Sequence, residues 1–145
     1  MKWDLRFLEL AKHISSWSKD PSTKVGAVIF DKNKRIVSIG YNGFPQGVRD
    51  DTQRYSDRDT KYKMVVHAEA NAILFAQKDL TNCCIATYPF MPCSGCASLI
   101  IQSGIKRCIA PSLPPELESR WRSSCDISIN MFQESNVELK LFDYR

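Results

Sequence analysis

Two stretches, His67-Ala68-Glu69 and Pro92-Cys93-Ser94-Gly95-Cys96, bring one histidine, one carboxylate and two thiols together in short motifs. An imidazole and two thiolates are ligands that zinc favours, and a catalytic zinc site takes three protein ligands and leaves the fourth position for water. We therefore predict that His67, Cys93 and Cys96 bind one Zn²⁺. The remaining glutamate has no place among the ligands, so it is predicted to act on the water as a proton shuttle.

The first of these motifs lies in an apolar, alanine-rich run over residues 65–77, which predicts a buried helix. His67 and Glu69 fall in its first turns. Two residues apart on a helix, they point in directions that differ by about 200°. One can therefore bind the metal while the other reaches the water only if the site is at the start of the helix. Glu69 is the predicted catalytic residue.

The second motif opens another predicted helix, over residues 93–103. Pro92 suits the position just ahead of a helix, and Gly104 suits its C-cap. Cys93 and Cys96 are three residues apart and so share one face of the first turn. A helix N-terminus favours negative charge, which lowers the pKa of a thiol and supports the thiolates that zinc needs.

The first helix is predicted from apolar residues that recur every three or four positions. They are Trp3, Phe7, Leu10, Ile14 and Trp17. Asp20-Pro21 marks the end of this segment. His13 lies in the same helix and is an alternative zinc ligand by residue type, but no cysteine or carboxylate at metal spacing accompanies it. We expect it to be a partly buried helix histidine.

Strands and helices alternate along the rest of the chain, which predicts an α/β sheet covered on both faces. Besides the three helices already named, the predicted elements are strands over 25–30, 35–40, 83–87, 107–110 and 137–142 and a helix over 115–134. The first two strands form a hairpin. No repeat or domain boundary is visible, so residues 1–145 are predicted to form a single domain.

Two loop segments leave alternatives open. Residues 40–45 are rich in turn formers, and Asn42 within them either contacts a base or sugar or belongs to a plain loop. Residues 49–63 interleave acidic and basic side chains, which is typical of a solvated loop or an exposed helix start. A mobile loop over a ligand is the functional alternative for that segment.

Composition is that of an ordinary globular chain, with 43% hydrophobic and 25% charged residues. The net charge of +4 fits an anionic small molecule and a nucleic acid equally well. No apolar run approaches the roughly 20 residues needed to span a bilayer. Charged residues near the N-terminus argue against a signal peptide, so we expect a cytoplasmic protein with no membrane partner.

The six cysteines are expected to be reduced, because a disulfide framework belongs to short secreted chains. Cys83, Cys84 and Cys108 lie in apolar, strand-like runs. A thiol in such a run usually behaves as a small buried hydrophobe, and we expect that for all three. Neither these residues nor Cys125 supplies the second paired spacing that a structural zinc site needs.

At this point the sequence resembles a known family, the deoxycytidylate (dCMP) deaminases of the zinc-dependent cytidine deaminase superfamily. The resemblance covers nearly the whole chain and is carried by motifs distributed along it. These are residues 19–27 (Lys-Asp-Pro-Ser-Thr-Lys-Val-Gly-Ala), 40–45 (Gly-Tyr-Asn-Gly-Phe-Pro), 66–72 (Val-His-Ala-Glu-Ala-Asn-Ala) and 92–97, with Arg120-Trp121, Ser124 and Met131-Phe132 in the last helix.

The resemblance implies a three-layer α/β/α sandwich around a central five-stranded mixed sheet. It implies hydrolysis of dCMP to dUMP and ammonia, with the product feeding thymidylate synthesis. The implied substrate contacts are Asn42 near the base and sugar, Ser22, Lys24 and Arg120 at the 5′-phosphate, Trp121 nearby, and Ala68 in the substrate pocket. A few donors suit a compact monophosphate, whereas a long basic stripe would suit a polymer.

Many members of this family are hexamers that dCTP activates and dTTP inhibits, so the resemblance implies a homo-oligomer. Mg²⁺ would accompany a triphosphate effector. The effector site would lie at Gly40, Tyr41, Gly43, Asp50 and Asp51.

One departure from the family concerns Thr87–Pro92, which is longer than the common spacing and is expected to influence base selectivity. Three rival functions follow from the same residues. A deaminase of single-stranded nucleic acid would need a basic groove with stacking aromatics, which the scattered basic residues do not predict. A deaminase of another base is disfavoured by the loop 40–45, and a structural zinc protein would not require Glu69.

Overall fold

Five strands form one mixed sheet with helices on both sides in the computed structural model, which describes residues 2–144. Its elements, in chain order, are α1 (Lys2–Ser15), β1 (Gly26–Phe30), β2 (Ile36–Tyr41), α2 (Thr52–Ser56), α3 (Arg58–Met64), α4 (Ala68–Ala76), β3 (Cys84–Tyr88), α5 (Ser94–Gln102), β4 (Arg107–Pro111), α6 (Pro115–Glu134) and β5 (Glu138–Phe142). Each predicted strand and long helix is present, with boundaries that differ by at most three residues.

The strand order is β2-β1-β3-β4-β5. β1 pairs antiparallel with both β2 and β3, whereas β3, β4 and β5 run parallel. Parallel strands need crossover connections, and α5 and α6 supply them. The predicted three-layer α/β/α architecture with a five-stranded mixed sheet is therefore confirmed.

Alternation along β1 sends side chains to both layers of helices, and all five of its residues are buried. Val28 and Phe30 pack with α1, where Phe7 and Phe30 stack with ring centroids 3.8 Å apart. Ala27 and Ile29 belong to the core on the opposite face, with α4 and α5. The sheet is thus covered on both faces, as the alternating pattern predicts.

The apolar face of α1 differs from the prediction at both ends. Phe7 and Ile14 are buried, but Trp3 and Trp17 are 44% and 48% exposed. The buried stripe of α1 begins at Asp4 and is completed by residues three and four positions further on. The carboxylate of Asp4 accepts two hydrogen bonds, of 2.6 and 2.7 Å, from the guanidinium of Arg107 on β4. The buried stripe is therefore shorter than predicted and excludes both tryptophans.

His13 is exposed on α1, with its ring edge-on to a tryptophan at 5.7 Å, so the expectation of a partly buried histidine was wrong. All six cysteines are free. Cys83 and Cys108 are buried as predicted, while Cys84 is only half-buried because it lies at the start of its strand. Among residues 2–144, no helix is both long and apolar enough to cross a membrane.

Two glycines set the distance between the hairpin and its helices. A Cβ added to Gly26 would lie 2.1 Å from the carbonyl oxygen of Ala11 in α1. On the other face, a Cβ added to Gly40 would lie 2.4 Å from the carbonyl oxygen of Ala68 and 2.5 Å from the amide nitrogen of Ala72, both in α4. Backbone therefore meets backbone at both places, which only glycine permits.

The charged segment 49–63 folds into α2 and α3, so the expectation of an exposed helix start is met, whereas neither a solvated loop nor a mobile loop describes it. Asp51 accepts a hydrogen bond from the amide of Gln53 at the start of α2, and Asp57 caps α3 in the same way. Lys61 is buried, and its ammonium lies 2.9 Å from the carboxylate of Asp20. This ion pair fixes α3 to the loop that follows α1.

Candidate active site

His67 stands at the N-cap of α4, immediately after a short extended segment. That segment is held by two backbone hydrogen bonds between Val66 and Gly43, at 2.7 and 3.1 Å. The pairing keeps residues 65 and 66 out of the helix, so α4 begins at Ala68 and not at residue 65 as predicted. The requirement that the histidine lie at the helix start is met.

Cys93 occupies the equivalent place on the next ligand helix, as the N-cap of α5, and Cys96 lies in the first turn. The Sγ atoms of Cys93 and Cys96 are 3.6 and 3.3 Å from Nδ1 of His67. All three ligand atoms lie within 4.8 Å of one another. The hydroxyl of Ser128 on α6 donates to the carbonyl oxygen of Pro92 at 2.9 Å and thereby fixes the start of α5.

This trio has the dimensions of a zinc site. Tetrahedral zinc with ordinary Zn–N and Zn–S bonds separates its nitrogen and sulfur ligands by about 3.5 Å. The observed separations of 3.6 and 3.3 Å agree with that value. Within residues 2–144, no fourth cysteine, histidine or carboxylate joins the group. Three protein ligands are the number of a catalytic site, whereas a structural site would have four.

The pKa values of the two thiols shift in opposite directions. The hydrogen bond from Cys96, together with His67, lowers the pKa of Cys93 to about 4 despite its burial. The same hydrogen bond and burial raise the pKa of Cys96. The hydrogen bond with Cys93 also raises the pKa of His67. Metal binding requires deprotonated ligands, so it would release the remaining protons.

Glu69 lies one residue inside α4 and is only 4% exposed. Burial raises the pKa of its carboxyl, because the charged form loses its hydration. A carboxyl group whose pKa is raised toward the working pH is suited to both accepting and donating a proton. Its position beside the ligand trio, without belonging to it, is the one predicted for a proton shuttle.

A cavity of about 360 Å³ opens over this group. That volume is within the range of small-molecule sites. Its lining includes the metal-side residues His67, Ala68, Glu69, Met91 and Cys93, the loop residues Asp20, Ser22, Thr23, Val25 and Asn42, the α2–α3 residues Tyr55, Ser56, Arg58, Lys61 and Tyr62 with Val65, and Phe90, Arg120 and Trp121. Phe90 and Trp121 stack with ring centroids 5.7 Å apart.

Of the six predicted substrate residues, Ser22, Asn42, Ala68, Arg120 and Trp121 line this cavity. Lys24 is not among the lining residues, and its ammonium donates a hydrogen bond to the backbone oxygen of the serine at position 18. The structure therefore does not bring Lys24 together with the others.

The amide of Asn42 is engaged with the protein. Its Oδ1 accepts a hydrogen bond from the amide of Val25 at 2.9 Å, and its Nδ2 donates to the carbonyl oxygen of Thr23 at 2.9 Å. A second hydrogen bond, of 3.4 Å, goes from Nδ2 to Asp20. Asn42 therefore shapes the cavity wall by holding the preceding loop, which is a role that the sequence motif alone does not reveal.

The predicted effector residues do not line the cavity. Gly40 is buried against α4, and Tyr41 is exposed next to the ring of Trp17, which follows α1. Gly43 forms the bridge with the segment before α4. Asp50 lies 2.7 Å from a lysine ammonium on the surface, and Asp51 caps α2. Each therefore has a structural contact of its own.

Sequence reasoning missed three cavity residues of α3, which are Arg58, Lys61 and Tyr62. They are spaced at i, i+3 and i+4, so they share one face of the helix. The spacing was a usable signal, but the surrounding charges are typical of a solvated surface and concealed it. The buried partner of Lys61, Asp20, was missed as well.

Three zinc-type ligands and a separate buried carboxylate at the starts of two helices define a candidate zinc hydrolase site of the deaminase type. The comparison with protein families agrees. Residues 1–111 match the model of the cytidine and deoxycytidylate deaminase zinc-binding region. The chain therefore belongs to the cytidine and deoxycytidylate deaminase family.

Two relatives illustrate the similarity in sequence. The uncharacterized deaminase in the luxG 3′ region of Aliivibrio fischeri is 47% identical over 138 residues, which cover 95% of this chain and 92% of that protein. Human deoxycytidylate deaminase is 41% identical over 114 residues, which cover 75% of this chain and 64% of that protein. The alignment thus spans slightly less than two thirds of the human enzyme.

Among solved structures, the dCMP deaminase of cyanophage S-TIM5 in complex with dCMP and dUMP has a TM-score of 0.75 to this chain. The match covers 97% of each chain at 22% sequence identity. At that identity the comparison establishes the shared fold, which is the one that the sheet order and the helix layers define independently.

Proposed function

We propose that this protein hydrolyses dCMP to dUMP and ammonia. The observation that carries the proposal is a single cavity with the His67, Cys93 and Cys96 trio and Glu69 at its base and two arginines among its lining residues. The substrate named for the human and cyanophage relatives supports dCMP as the pyrimidine. The dUMP formed would feed thymidylate synthesis.

The trio would hold Zn²⁺, which supplies a Lewis acid that makes water nucleophilic near neutral pH. Glu69 accepts a proton from the attacking water and delivers it to N3 of the ring as the C4–O bond forms. It then takes the proton of the new C4 hydroxyl and delivers it to the departing nitrogen, as the C4–N4 bond breaks, the C4=O bond forms and ammonia leaves. The raised pKa of Glu69, caused by its burial, suits a group that must both take up and release a proton in one cycle.

The cavity lining supports a nucleotide over a polymer. Phe90 and Trp121 line the cavity and offer apolar ring faces, and the guanidinium of Arg120 lies 5.2 Å from the Trp121 ring centre. Ser22 and Arg120 are proposed 5′-phosphate contacts, and Asn42 and Ala68 are proposed to face the sugar and base. Phe90 belongs to the lengthened segment, which we propose contributes to base selectivity.

Ammonia release tests the function directly. Zinc-loaded protein would be assayed with dCMP, deoxycytidine, dCTP and a short cytosine-containing single strand. Turnover with dCMP as the preferred substrate is expected. Turnover of the strand without turnover of dCMP would favour nucleic-acid deamination, and no turnover of any of the four with zinc bound would favour a structural zinc protein.

Regulation and assembly are proposed on the family resemblance. We expect a homo-oligomer, a hexamer in many relatives of this kind, with activation by dCTP in the presence of Mg²⁺ and inhibition by dTTP. Initial rates with and without each effector test this, and rates that stay flat would refute it. A cytoplasmic location and the absence of nucleic-acid partners also stay predictions.

A further inference from the structure

Two serines of α6 hold the peptide groups on either side of the predicted zinc ligand Cys93. The hydroxyl of Ser128 donates a hydrogen bond of 2.9 Å to the carbonyl oxygen of Pro92, in the peptide group before the cysteine. The hydroxyl oxygen of Ser124 accepts a hydrogen bond of 2.9 Å from the amide of Ser94, in the peptide group after it. The two backbone dihedral angles of Cys93 describe how these planar groups rotate about its Cα. Both angles are therefore restrained from outside α5.

Cys93 needs this support because its own side chain is engaged elsewhere. An N-cap residue normally satisfies a free amide of the first turn with its side-chain oxygen. In the described part of the chain, residues 2–144, the side chain of Cys93 forms no such capping hydrogen bond, and its Sγ lies 3.6 Å from Nδ1 of His67. Its backbone is extended, with φ −68° and ψ 171°. The hydrogen bonds with α6 therefore take the place of the missing cap.

These contacts come from one face of α6. Ser124 and Ser128 follow Trp121 by three and seven positions, so the three side chains lie along one stripe of the helix. Trp121 stacks on Phe90 with ring centroids 5.7 Å apart. The hydroxyl of Ser128 also lies 3.1 Å from the carbonyl oxygen of Ser124, but its shorter contact is the one to Pro92. Ser128 is fully buried, so water cannot replace its hydroxyl as the donor.

His67, the other predicted ligand at a helix start, is held in a different way. The residue before it, Val66, forms two backbone hydrogen bonds with Gly43. Backbone pairing persists when side chains are replaced, whereas the backbone of Cys93 depends on two hydroxyl groups that a substitution can remove. The position of Cys93 can therefore be tested without changing any ligand.

We propose that Ser124 and Ser128 are positioning residues of the metal centre and raise its zinc affinity by restraining the backbone of Cys93. This role rests on the proposed function and deepens it, since it assigns two residues outside the ligand trio to metal binding. A ligand that is already held in place loses less conformational freedom when the metal binds. Loss of the groups that orient a metal ligand typically lowers metal affinity by about 10- to 100-fold.

The test is the dissociation constant for zinc, measured by competition with a chromophoric chelator. It compares the wild type with Ser124→Ala, Ser128→Ala, the double variant and the control Ser135→Ala. Ser135 ends the same helix, and its hydroxyl donates to the carbonyl oxygen of Met131 within α6. The dissociation constant should rise about 10- to 100-fold in the double variant. A several-fold rise is expected in each single variant and none in the control.

Ser124→Thr supplies the matched rescue, because it keeps the hydroxyl at a half-buried position. Zinc affinity close to that of the wild type is expected. If Ser128→Ala does not fold, the comparison of alanine with threonine at position 124 decides the role. Wild-type zinc affinity in Ser124→Ala, or an equal loss in Ser124→Thr, would overturn it.

Thermal unfolding of the zinc-free proteins separates metal positioning from a general effect on stability. A lower Tm together with wild-type zinc affinity would show a purely structural role and overturn the proposal. With zinc saturating, any fall in kcat/KM should be equal for dCMP and deoxycytidine, so the ratio of the two values should stay that of the wild type. A changed ratio would assign the serines to substrate contact instead.

The zinc measurement needs no substrate, so it is independent of turnover. If the wild type converts dCMP but every variant keeps its zinc affinity, the positioning role is overturned and the proposed function stands. If the zinc-loaded wild type releases no ammonia from dCMP, the proposed function fails, and the dissociation constants alone decide the role of the serines.

Discussion

The base of the cavity and the wall formed by α2 and α3 are anchored in different ways. At the base, His67 and Cys93 are the N-caps of helices that pack on the central sheet, and Glu69 is buried beside them. The wall consists of α2 and α3, two helices of five and seven residues, and it is held by the stacking of Tyr55 on Phe44 and by the buried ion pair between Lys61 and Asp20. The residues proposed for the chemistry are thus positioned by helices that pack on the core. The wall proposed to select the substrate is a small unit with only local anchors.

The largest effect is expected at the base, in Glu69→Gln. The amide keeps the size and hydrogen-bonding capacity of the side chain but cannot accept the proton, so kcat should fall about 10³-fold or more. Zinc content by metal analysis should match the wild type, because Glu69 lies outside the ligand trio. Near-normal turnover by this variant would remove Glu69 from the mechanism.

Loss of one ligand should be the next largest effect. Cys93→Ser replaces a thiolate by a hydroxyl, which is a poor zinc ligand, and we expect zinc to be lost on dialysis together with activity. The matched control is Cys125→Ser, at a buried cysteine outside the trio, which should keep its zinc. Equal metal content in the two variants would contradict the ligand assignment.

The wall offers a paired test on one helix. Lys61→Met leaves Asp20 buried without its partner, which typically costs about 3–5 kcal/mol of unfolding free energy. Lys63→Met removes an exposed ion pair with Asp59 and should have no measurable effect on stability. Denaturant unfolding measures both.

Kinetics extend this pair of variants to function. In Lys61→Met the KM for dCMP should rise more than the KM for deoxycytidine, with zinc content unchanged, because α3 loses its anchor. If KM rises equally for both substrates, the wall does not act through the phosphate.

The smallest effect is expected far from the cavity, at the ion pair of Asp4 with Arg107. The hydrogen bonds from Arg107 lower the pKa of Asp4 in the folded protein, against the effect of burial. The contribution of the pair to stability is therefore complete above the ordinary aspartate pKa, near 4, and is lost as pH falls through the lowered value.

Asp4→Asn should accordingly unfold more readily than the wild type at pH 7, by about 1–3 kcal/mol, and the difference should shrink below pH 4. Thermal unfolding across this pH range measures it. The dCMP-to-deoxycytidine ratio should not change, which separates a loss of stability from a loss of substrate selection.

Much of the fold could be predicted from the sequence, because strand alternation and helix periodicity are local properties of the chain. The zinc trio was predictable for the same reason: His67 and the two cysteines sit in short motifs whose spacing is informative by itself. Hydrophobic periodicity did not predict which residues are buried where a distant partner determines the burial. Asp4 is buried because it meets Arg107, and Trp3 beside it is exposed although it is apolar.

The α3 wall was not predictable for the same physical reason. Lys61 is a charged residue in a charged segment, and only the carboxylate of Asp20, 41 positions away in sequence, makes its burial stable. Arg58 and Tyr62 become neighbours of Arg120 only after α6 has packed on the sheet. Their spacing marks a shared helix face, but a single sequence does not show which distant residues that face meets.

The close contact at Gly40 has a further consequence, for the tolerances of the site. The helix capped by His67, the predicted zinc ligand, is spaced from the sheet by backbone atoms alone at this point, with no side chain between them. A side chain can absorb a small change by turning to another rotamer, but two touching backbones cannot. The distance between β2 and α4 therefore cannot adjust by a rotamer change. A methyl group at position 40 would push α4, and His67 at its N-cap, away from the sheet.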